Sequence, residues 1–291
     1  MQGKVVVITG ATSGIGQVAA EKLAGMGARL VLVARDKERG EAALSRLRQA
    51  GGSGTHSIHY ADLSRILEMK KVASAIAAAE PRIDVLINNA GALFGSRQVT
   101  EDGLEMTFAT NHMAYFVVTA GLRRSLQAAT PSRVINTSSD AHKGNQLDFS
   151  DLQSERNYSG FKVYGESKLC NILFTRELAR RWEGTGVTAN CLHPGFVATR
   201  FGDQSGGLLS LGIRVAKNFA ISTEKGAETI IYLASSKEVA KTTGGYFYKC
   251  RTANPTSEAQ DNQAAQRLWQ ETAKLAGIPD EIRAEASAAS R

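Results

Sequence analysis

Two residues four positions apart, Tyr164 and Lys168, have the side chains that a proton-transfer site needs. Residues at this spacing lie on one face of a helix, one turn apart. An unperturbed tyrosine has a pKa of about 10, so it exchanges protons poorly at neutral pH. A neighbouring ammonium favours the phenolate, so we expect Lys168 to lower the pKa of Tyr164. The pair could then give a proton to a carbonyl oxygen or remove one from an alcohol.

A glycine-rich loop indicates a second chemistry, which is the binding of phosphate groups. Gly10, Gly14 and Gly16 follow an apolar run and open a helical pattern. Gly10 permits a tight turn, Gly14 lets the backbone approach a pyrophosphate, and Gly16 lets the helix and strand pack closely. Free N–H groups at the helix start would face the phosphates. The other loop residues that we expect at the cofactor are Thr12, Ser13 and Ile15.

The end of the second apolar run bears on which dinucleotide would bind. An acidic residue there accepts a ribose 2′-hydroxyl, whereas an arginine binds a 2′-phosphate. Ala34 is neutral and Arg35 follows it, so we expect NADP(H). Asp36 is expected to cap a helix that starts at Lys37. The alternative is that Arg35 only caps the end of the strand.

The elements that must position these residues alternate along the chain. Buried strands are predicted at 4–8, 29–33, 83–87, 133–136 and 187–192, with a weaker one at 55–59. Their continuous Val, Ile and Leu content is typical of a parallel sheet covered on both faces. Helical periodicity covers 14–26, 37–49, 65–79, 108–127 and 164–182. We predict a single doubly wound α/β domain of Rossmann type over 1–251, followed by a C-terminal helical extension over 252–291 with a helix at 256–276.

Composition excludes several other classes of protein. The 291 residues carry a net charge of +7, but the charges are scattered, so we expect a solvated surface and no nucleic-acid partner. The three cysteines, Cys170, Cys191 and Cys250, include no C-x-x-C pair. His142 and His193 have no second ligand at the spacing of a metal site, so we expect no metal site. The chain begins close to a strand-like run, and no apolar stretch approaches the roughly 18 residues of a membrane span. We therefore expect a cytoplasmic protein without a membrane anchor.

Further motifs follow in a fixed order. They are Asp62-Leu63, Asn88-Asn89-Ala90-Gly91, Asn111, Ser138-Ser139, Tyr164-Gly165-Glu166-Ser167-Lys168 and Pro194-Gly195-Phe196-Val197-Ala198-Thr199. With the glycine loop, this series resembles the short-chain dehydrogenase/reductase family over residues 3–250. Within the family, Asn111-His112, residues 167–174 and residues 266–269 resemble the retinol-dehydrogenase-like branch. Many members of that branch have a membrane-anchoring N-terminal helix, which we do not expect in this protein.

The resemblance implies roles for the catalytic residues. One of two adjacent serines would hold the carbonyl oxygen beside Tyr164, and the family pattern favours Ser139 over Ser138. Lys168 would also bind the ribose hydroxyls of the cofactor. Asn111 would hold a water in a proton relay with the lysine; alternatively, it only disturbs its helix through local hydrogen bonds.

The resemblance also implies the rest of the cofactor site and the assembly. Asp62 and Leu63 would line the adenine, and Asn89, Ala90 and Gly91 the adenosine ribose. The nicotinamide end would be held by Pro194, Gly195, Val197 and Thr199. The family fold has a seven-stranded, mostly parallel sheet, and its members often form homodimers or homotetramers through the helices that contain Asn111 and Tyr164.

Two segments and one thiol bear on the substrate. The segment 140–163, between Ser139 and Tyr164, is longer than the corresponding segment of simpler family members. It forms either part of the rim of the substrate cleft or a surface loop. Residues 200–222 are rich in glycine, leucine and phenylalanine, which indicates either a lid over an apolar or aromatic substrate or a packed helix. Cys170 is expected to be a small buried residue rather than a reactive thiol.

We therefore expect an NADP(H)-dependent enzyme that transfers hydride between nicotinamide and an apolar aldehyde or ketone, or the corresponding alcohol. Two alternatives remain open. One is a C=C reductase resembling protochlorophyllide reductase, for which Cys170 would matter. The other is a non-catalytic protein that senses NADP(H), although a sensor has no need for the complete set of Asn111, Ser139, Tyr164 and Lys168.

Overall fold

The chain folds around one sheet whose strands alternate with helices. A computed structural model describes residues 1–51, 55–197 and 221–280. The strands are β1 (Val5–Thr9), β2 (Arg29–Ala34), β3 (Ser57–Tyr60), β4 (Val85–Asn88), β5 (Ser132–Thr137), β6 (Val187–Leu192), β7 (Tyr246–Tyr248) and β8 (Arg251–Thr252). Their order across the sheet is β3-β2-β1-β4-β5-β6-β7-β8. All neighbours are parallel except β8, which runs antiparallel to β7.

Helices cover both faces of this sheet. They are α1 (Gly14–Gly25), α2 (Lys37–Ala50), α3 (Ile66–Ala79), α4 (Met106–Phe108), α5 (Ala114–Gly121), α6 (Arg123–Ala128), α7 (Gly160–Arg181), α8 (Thr223–Ser235) and α9 (Asn262–Ala276). A π-helical turn, Ala109–Met113, joins α4 to α5, and short 3₁₀ turns lie at Asp140–His142 and Glu258–Gln260. Among the described helices, none has both the length and the apolar character needed to cross a bilayer.

The predicted doubly wound Rossmann-type fold is confirmed, but the sheet has eight strands instead of seven. The additional strand is β8, which follows β7 after a two-residue turn formed by Lys249 and Cys250. Both residues have positive φ, 49° and 59°, as a tight hairpin turn of this length requires. Such a turn is usually announced by glycine or asparagine, so this sequence gives no signal for it.

Other differences concern helix boundaries. Helix α7 starts at Gly160 rather than at 164, because Gly160 allows its first turn to lie directly on the backbone carbonyl of Phe94. The single helix predicted at 108–127 is divided by the π turn and again at Leu122. The elements α8 and β7 were not predicted. Part of the predicted substrate segment 200–222, namely residues 200–220, lies outside the described residues.

Alternation along the strands divides the core into two layers. Val7 of β1 packs with the layer that contains α3, α5, α7 and α9, whereas Val6 and Ile8 pack with α1, α2 and α8. Because successive side chains of a strand point to opposite faces, a parallel sheet covered on both sides needs apolar residues at every position. The uninterrupted Val-Val-Val-Ile run of β1 meets this requirement.

The C-terminal helix α9 is an integral part of the first layer. Trp269 is buried, stacks on Phe174 of α7 at 5.8 Å between ring centroids and meets Phe116 edge-on at 4.9 Å. The Arg181 guanidinium lies 4.5 Å from the Trp269 ring centroid, a favourable cation–π arrangement. Helix α9 therefore covers the outer face of the helix that carries Tyr164.

Removal of the Trp269 side chain should destabilise the whole domain. We expect Trp269→Ala to lower the free energy of unfolding by about 3–5 kcal/mol, the usual cost of deleting a buried aromatic side chain. Leu275→Ala is the matched control, because Leu275 is on the same helix and is 40% exposed; it should change stability by less than about 1 kcal/mol. Urea unfolding followed by circular dichroism measures both, and equal losses would contradict the role given to Trp269.

Candidate active site

The loops after β1 and β4 meet at the carboxyl edge of the sheet, where the strand order reverses. Gly10 has a φ of +70°, and a Cβ there would lie 2.7 Å from the Cα of Ala90. A Cβ on Gly16 would collide with the Asn89 amide and the Gly10 carbonyl oxygen. The Thr9 hydroxyl accepts hydrogen bonds from the backbone N–H groups of Asn89 (3.0 Å) and Ala90 (3.1 Å). The glycines are therefore required by contact between the two loops.

The start of α1 has the features of an anion site. Gly14 begins the helix with a φ of +60°. Ser13 occupies the N-cap position, but its hydroxyl does not cap the helix. Thr12, Ser13, Gly14 and Ile15 are all partly exposed at this end. N–H groups at a helix start attract phosphate through their partial positive charge. Here these groups lie at a partly exposed position, and the Ser13 side chain does not hydrogen-bond to them.

The ends of β2 and β3 hold the residues predicted for the adenosine end. Asp36 accepts a hydrogen bond from the backbone N–H of Arg39 at 2.8 Å, so the predicted cap of α2 is confirmed. Arg35 is exposed and makes no ion pair with any residue that the structure describes. Asp62 accepts hydrogen bonds from the backbone and hydroxyl of Ser64 at 3.0 and 2.8 Å, and Leu63 is buried beside it.

Tyr164 and Lys168 lie one turn apart on α7, at the end of β5. Lys168 is only 3% exposed, and its ammonium donates to the carbonyl oxygen of Thr137 at 3.3 Å. The same Nζ atom lies 5.4 Å from the ring centroid of Tyr164 and 5.9 Å from that of Tyr115. A buried ammonium between two aromatic rings has lost most of its hydration water, and this loss lowers its pKa.

Burial dominates the electrostatics of the pair. Loss of water lowers the pKa of Lys168 to about 7, because the charged ammonium is the poorly solvated form. Burial also raises the pKa of Tyr164 above its usual range, and an interaction with the Ser139 hydroxyl opposes that rise. The predicted lowering of the Tyr164 pKa by Lys168 is therefore wrong for this structure. Desolvation of the buried phenolate is the largest cause of the rise.

The two candidate serines have different partners. Ser138 is buried, and its hydroxyl donates to the backbone carbonyl of Lys168 at 2.8 Å. Ser139 is partly exposed; its hydroxyl accepts from the Ala141 N–H of the following 3₁₀ turn at 3.2 Å, and it interacts with Tyr164 so as to lower the pKa of the phenol. Ser138 thus fixes α7 against β5, whereas Ser139 faces the phenol.

Asn111 lies at the centre of the π turn and makes only long-range contacts with its side chain. Its amide donates to the Ala92 carbonyl and the Ser167 hydroxyl, both at 2.9 Å, and its oxygen accepts from the Ala92 N–H at 2.7 Å. The local hydrogen bonds of the alternative interpretation are not formed by this side chain. A Cβ on Gly91 would lie 3.2 Å from the Asn111 oxygen and 3.3 Å from Lys168 Nζ. The π turn, a feature often found at functional sites, therefore joins the loop after β4 to the catalytic helix.

The segment after β6 approaches the glycine loop. Gly195 has a φ of +88°, and Pro194 and Gly195 are partly exposed. Val197 pairs with Ile221, and a Cβ on Gly226 of α8 would lie 2.6 Å from Val197 and 2.7 Å from Ile15. This packing brings the predicted nicotinamide end beside the phosphate loop. Thr199 lies outside the described residues.

Sequence reasoning missed two residues that surround Lys168. Thr137 supplies the carbonyl that accepts from both Lys168 and Asn171. Tyr115 is buried with its hydroxyl near Thr137, and burial raises the pKa of Tyr115. Its position four residues after Asn111, on the same helical face, is the one signal that could have identified it.

The segment at 140–163 is docked onto the domain. The Tyr158 hydroxyl donates to the Phe94 carbonyl at 2.9 Å, and Gln153 accepts from the backbone N–H of Glu105 at 2.7 Å. Leu147 and a few neighbouring residues line a small cavity over the face of α7 that carries Cys170. Cys170 is 1% exposed, and burial raises the pKa of its thiol. As expected, it is a small buried residue and not a reactive thiol.

Fold and site together define an oxidoreductase of the Rossmann type, with a phosphate loop at the β1/β4 switch point and a tyrosine–lysine pair beside it. Comparisons with known proteins identify the family. A family model described as short chain dehydrogenase matches residues 4–207. Mouse retinol dehydrogenase 14 is 40% identical over 294 residues, covering 96% of this chain and 87% of that protein. Human retinol dehydrogenase 13 is 40% identical over 284 residues, covering 95% and 85%.

Solved structures agree with this assignment. An uncharacterised protein from Mycobacterium paratuberculosis has a TM-score of 0.77 and 29% identity, covering 97% of this chain and 96% of that one. The NADP complex of Pseudomonas aeruginosa RhlG has a TM-score of 0.68 and 27% identity, covering 84% and 94%. The chain therefore belongs to the short-chain dehydrogenase family, in its retinol-dehydrogenase-like branch. Family members are oxidoreductases that bind a nicotinamide cofactor.

The buried ammonium should make the site a source of instability. We expect Lys168→Met to stabilise the fold by up to about 5 kcal/mol below pH 7, from a pKa change of 10.5 to about 7. Since the unfolded chain keeps this proton between pH 7 and 10.5 while the folded chain releases it, the gain should shrink as the pH rises through that window. Thermal unfolding at pH 6 and pH 9.5 measures it.

Lys162→Met is the control for this measurement, because the Lys162 side chain is 59% exposed on the same helix. It should leave the melting temperature nearly unchanged at both pH values. A Lys168→Met protein that melts lower than the wild type at pH 6 would show that the ammonium stabilises the fold.

Proposed function

We propose that the protein is an NADP(H)-dependent carbonyl reductase or alcohol dehydrogenase that acts on apolar or aromatic substrates. The observation that carries the proposal is the Ser139 hydroxyl near enough to Tyr164 to lower its pKa, beside the buried Lys168. A hydroxyl donor and a protonated phenol at one point are what a carbonyl oxygen needs as it gains charge.

The described residues fit a dinucleotide. The start of α1 offers uncapped N–H groups, and Ser13 has a hydroxyl beside them. Lys168 donates to one protein acceptor, the carbonyl of Thr137, whereas an ammonium has three donors, so it could also bind the ribose hydroxyls. When bound, the nicotinamide would supply or accept the hydride.

The chain's own residues would then move the proton. Ser139 would hold the substrate oxygen, and Tyr164 would donate its phenolic proton to that oxygen during reduction. The raised pKa of Tyr164 keeps this proton in place until the oxygen becomes basic. In the reverse direction, the phenolate form of Tyr164 would take the proton from the alcohol and return to the phenol. Asn111 would support the site without contacting the substrate, because its amide donates to the Ala92 carbonyl and the Ser167 hydroxyl near the lysine.

The preference for NADP(H) rests on the end of β2. Arg35 is exposed there without an ion-pair partner among the described residues, and the Asp36 carboxylate accepts from the start of α2. A planar guanidinium suits a 2′-phosphate, and the carboxylate of the adjacent Asp36 is already engaged by the backbone N–H of Arg39. The RhlG complex shows that a structural relative binds NADP.

Apolar substrates fit the surroundings of the site. Phe161 lies one turn before Tyr164 on α7 and is 60% exposed, and Phe196 is 54% exposed beside Val197. Large exposed aromatic side chains near a polar centre are typical of a surface that binds an apolar molecule. The retinol dehydrogenases among the relatives are named for an apolar alcohol.

The alternatives receive less support. A C=C reductase that uses Cys170 needs an accessible thiol, and this one is buried with a raised pKa. A sensor would not need Ser139 aligned with Tyr164.

A dimer formed through α7 would have to displace α9 from the outer face of α7. We therefore propose that any assembly of this chain uses another surface.

Loss of the phenol should abolish turnover without loss of cofactor. We expect Tyr164→Phe to reduce NADPH-dependent reduction of apolar aldehydes and ketones by at least about a hundredfold, the usual contribution of general acid catalysis. NADPH affinity, measured by fluorescence titration, should stay within a few-fold. Tyr232→Phe is the control, because that exposed hydroxyl bonds only to Glu238 among the described residues. Full turnover by Tyr164→Phe would refute the mechanism.

Arg35 should determine the choice of cofactor. We expect Arg35→Ala to raise the KM for NADPH by roughly ten- to a hundredfold, which corresponds to the loss of a charge-assisted hydrogen bond. The KM for NADH should change little, because NADH has no 2′-phosphate. Arg48→Ala, at the far end of α2, is the control for a change in net charge. A wild-type enzyme that prefers NADH would contradict the argument from Arg35.

A further inference from the structure

His142 is a buried residue next to the site that the proposed mechanism does not use. It ends the 3₁₀ turn Asp140–His142, which follows Ser139 directly, and it is fully buried. Its ring meets Tyr246 edge-on at 5.3 Å between centroids. A buried polar ring is costly unless both nitrogens have partners, so its hydrogen bonds show what it does.

Both ring nitrogens of His142 are engaged, and only one protonation state fits. Nδ1 lies 2.7 Å from the carbonyl oxygen of Ser139, which can only accept, so Nδ1 carries the proton. Nε2 lies 3.4 Å from the backbone N–H of Thr256, which can only donate, so Nε2 is unprotonated. The assigned state is therefore neutral imidazole with its proton on Nδ1.

The surroundings are consistent with this neutral form. Burial lowers the pKa of His142, and Lys143 lowers it further. The bond to the Ser139 carbonyl, Asp140 and Glu258 act in the opposite direction, and the titratable rings of His193 and Tyr246 lie nearby. No carboxylate bonds to the ring among the described residues, and burial outweighs these favourable interactions, so the neutral form is favoured.

The contact with Ser139 is important because the turn aims the serine hydroxyl. The Ser139 carbonyl accepts from the backbone N–H of His142 at 3.2 Å and from its ring at 2.7 Å. The Ser139 hydroxyl, on the same residue, accepts from the Ala141 N–H and interacts with Tyr164. A displacement of this turn would move the Ser139 backbone and carry the hydroxyl away from the phenol.

We propose that His142 is a positioning residue: it clamps the Ser139 carbonyl and so orients the serine hydroxyl towards Tyr164. Through Nε2 it also ties this turn to Thr256, in the segment that leads into α9. The proposal rests on the proposed function for its kinetic consequences, but the clamp itself is a property of the protein without substrate.

Two amide side chains separate the bonds of His142. Asparagine places its amide nitrogen where Nδ1 lies, so His142→Asn keeps the bond to Ser139 and loses the one to Thr256. Glutamine reaches the position of Nε2, so His142→Gln keeps the contact with Thr256 and loses the one to Ser139. His142→Leu loses both. All three should lower the melting temperature, since each removes the ring contact with Tyr246.

We expect kcat to fall by roughly ten- to a hundredfold in His142→Gln and His142→Leu, because small misplacements of catalytic groups cost this much. His142→Asn should keep kcat within about threefold of the wild type, and KM and NADPH affinity should change little in all three. If His142 only stabilised the fold, kcat would follow the melting temperature, with His142→Asn as impaired as His142→Gln. That result would overturn the proposal.

A second measurement does not depend on turnover. In protein labelled with ¹³C at the tyrosine ring, the Tyr164 signal is identified by its loss in Tyr164→Phe. We expect this signal to shift in His142→Leu and His142→Gln and to stay in place in His142→Asn. A signal unmoved in His142→Leu would overturn the clamp. If the wild type reduces no carbonyl but the signal shifts as expected, the proposed function fails while the clamp stands.

Discussion

The site depends on the cost of burying one ammonium group. Lys168 lies beneath the end of β5 with the Thr137 carbonyl as its protein acceptor and aromatic rings on two sides. Such a group stays in the interior only where rigid neighbours hold it. Asn171 shares the Thr137 carbonyl, and Ser138 binds the backbone of Lys168 from the strand side. These contacts fix α7 against β5 and thereby fix where the phenol can point.

A second constraint is the close approach of the loops after β1 and β4. The Thr9 hydroxyl and the Asn89 amide join them, and Gly10 and Gly16 leave no room for a side chain between them. The proposed cofactor cleft is thus formed by backbone groups whose positions are set by packing inside the protein. Asn111 connects the loop after β4 to α7 through Ala92 and Ser167, so the glycine loop and α7 belong to one rigid frame.

Local signals in the sequence predict much of this arrangement. The glycine spacing, the cap at Asp36 and the apolar runs each reflect contacts between residues close in the chain, and the structure agrees with them. The parts that were missed depend on distant partners. The contact of His142 with Thr256 and the burial that raises the pKa of Tyr164 have no local signature. The hairpin at β8 was missed because its turn lacks glycine.

Helix α9 has a consequence for how the protein comes into existence. Helix α7 is synthesised well before α9, the segment that covers its outer face and places Trp269 against Phe174 and Phe116. During translation these rings therefore lack that cover until α9 has emerged, a situation that favours binding by chaperones and penalises slow elongation. A ribosome that stalls before α9 would release a protein with every proposed catalytic side chain present and its hydrophobic core open on one side.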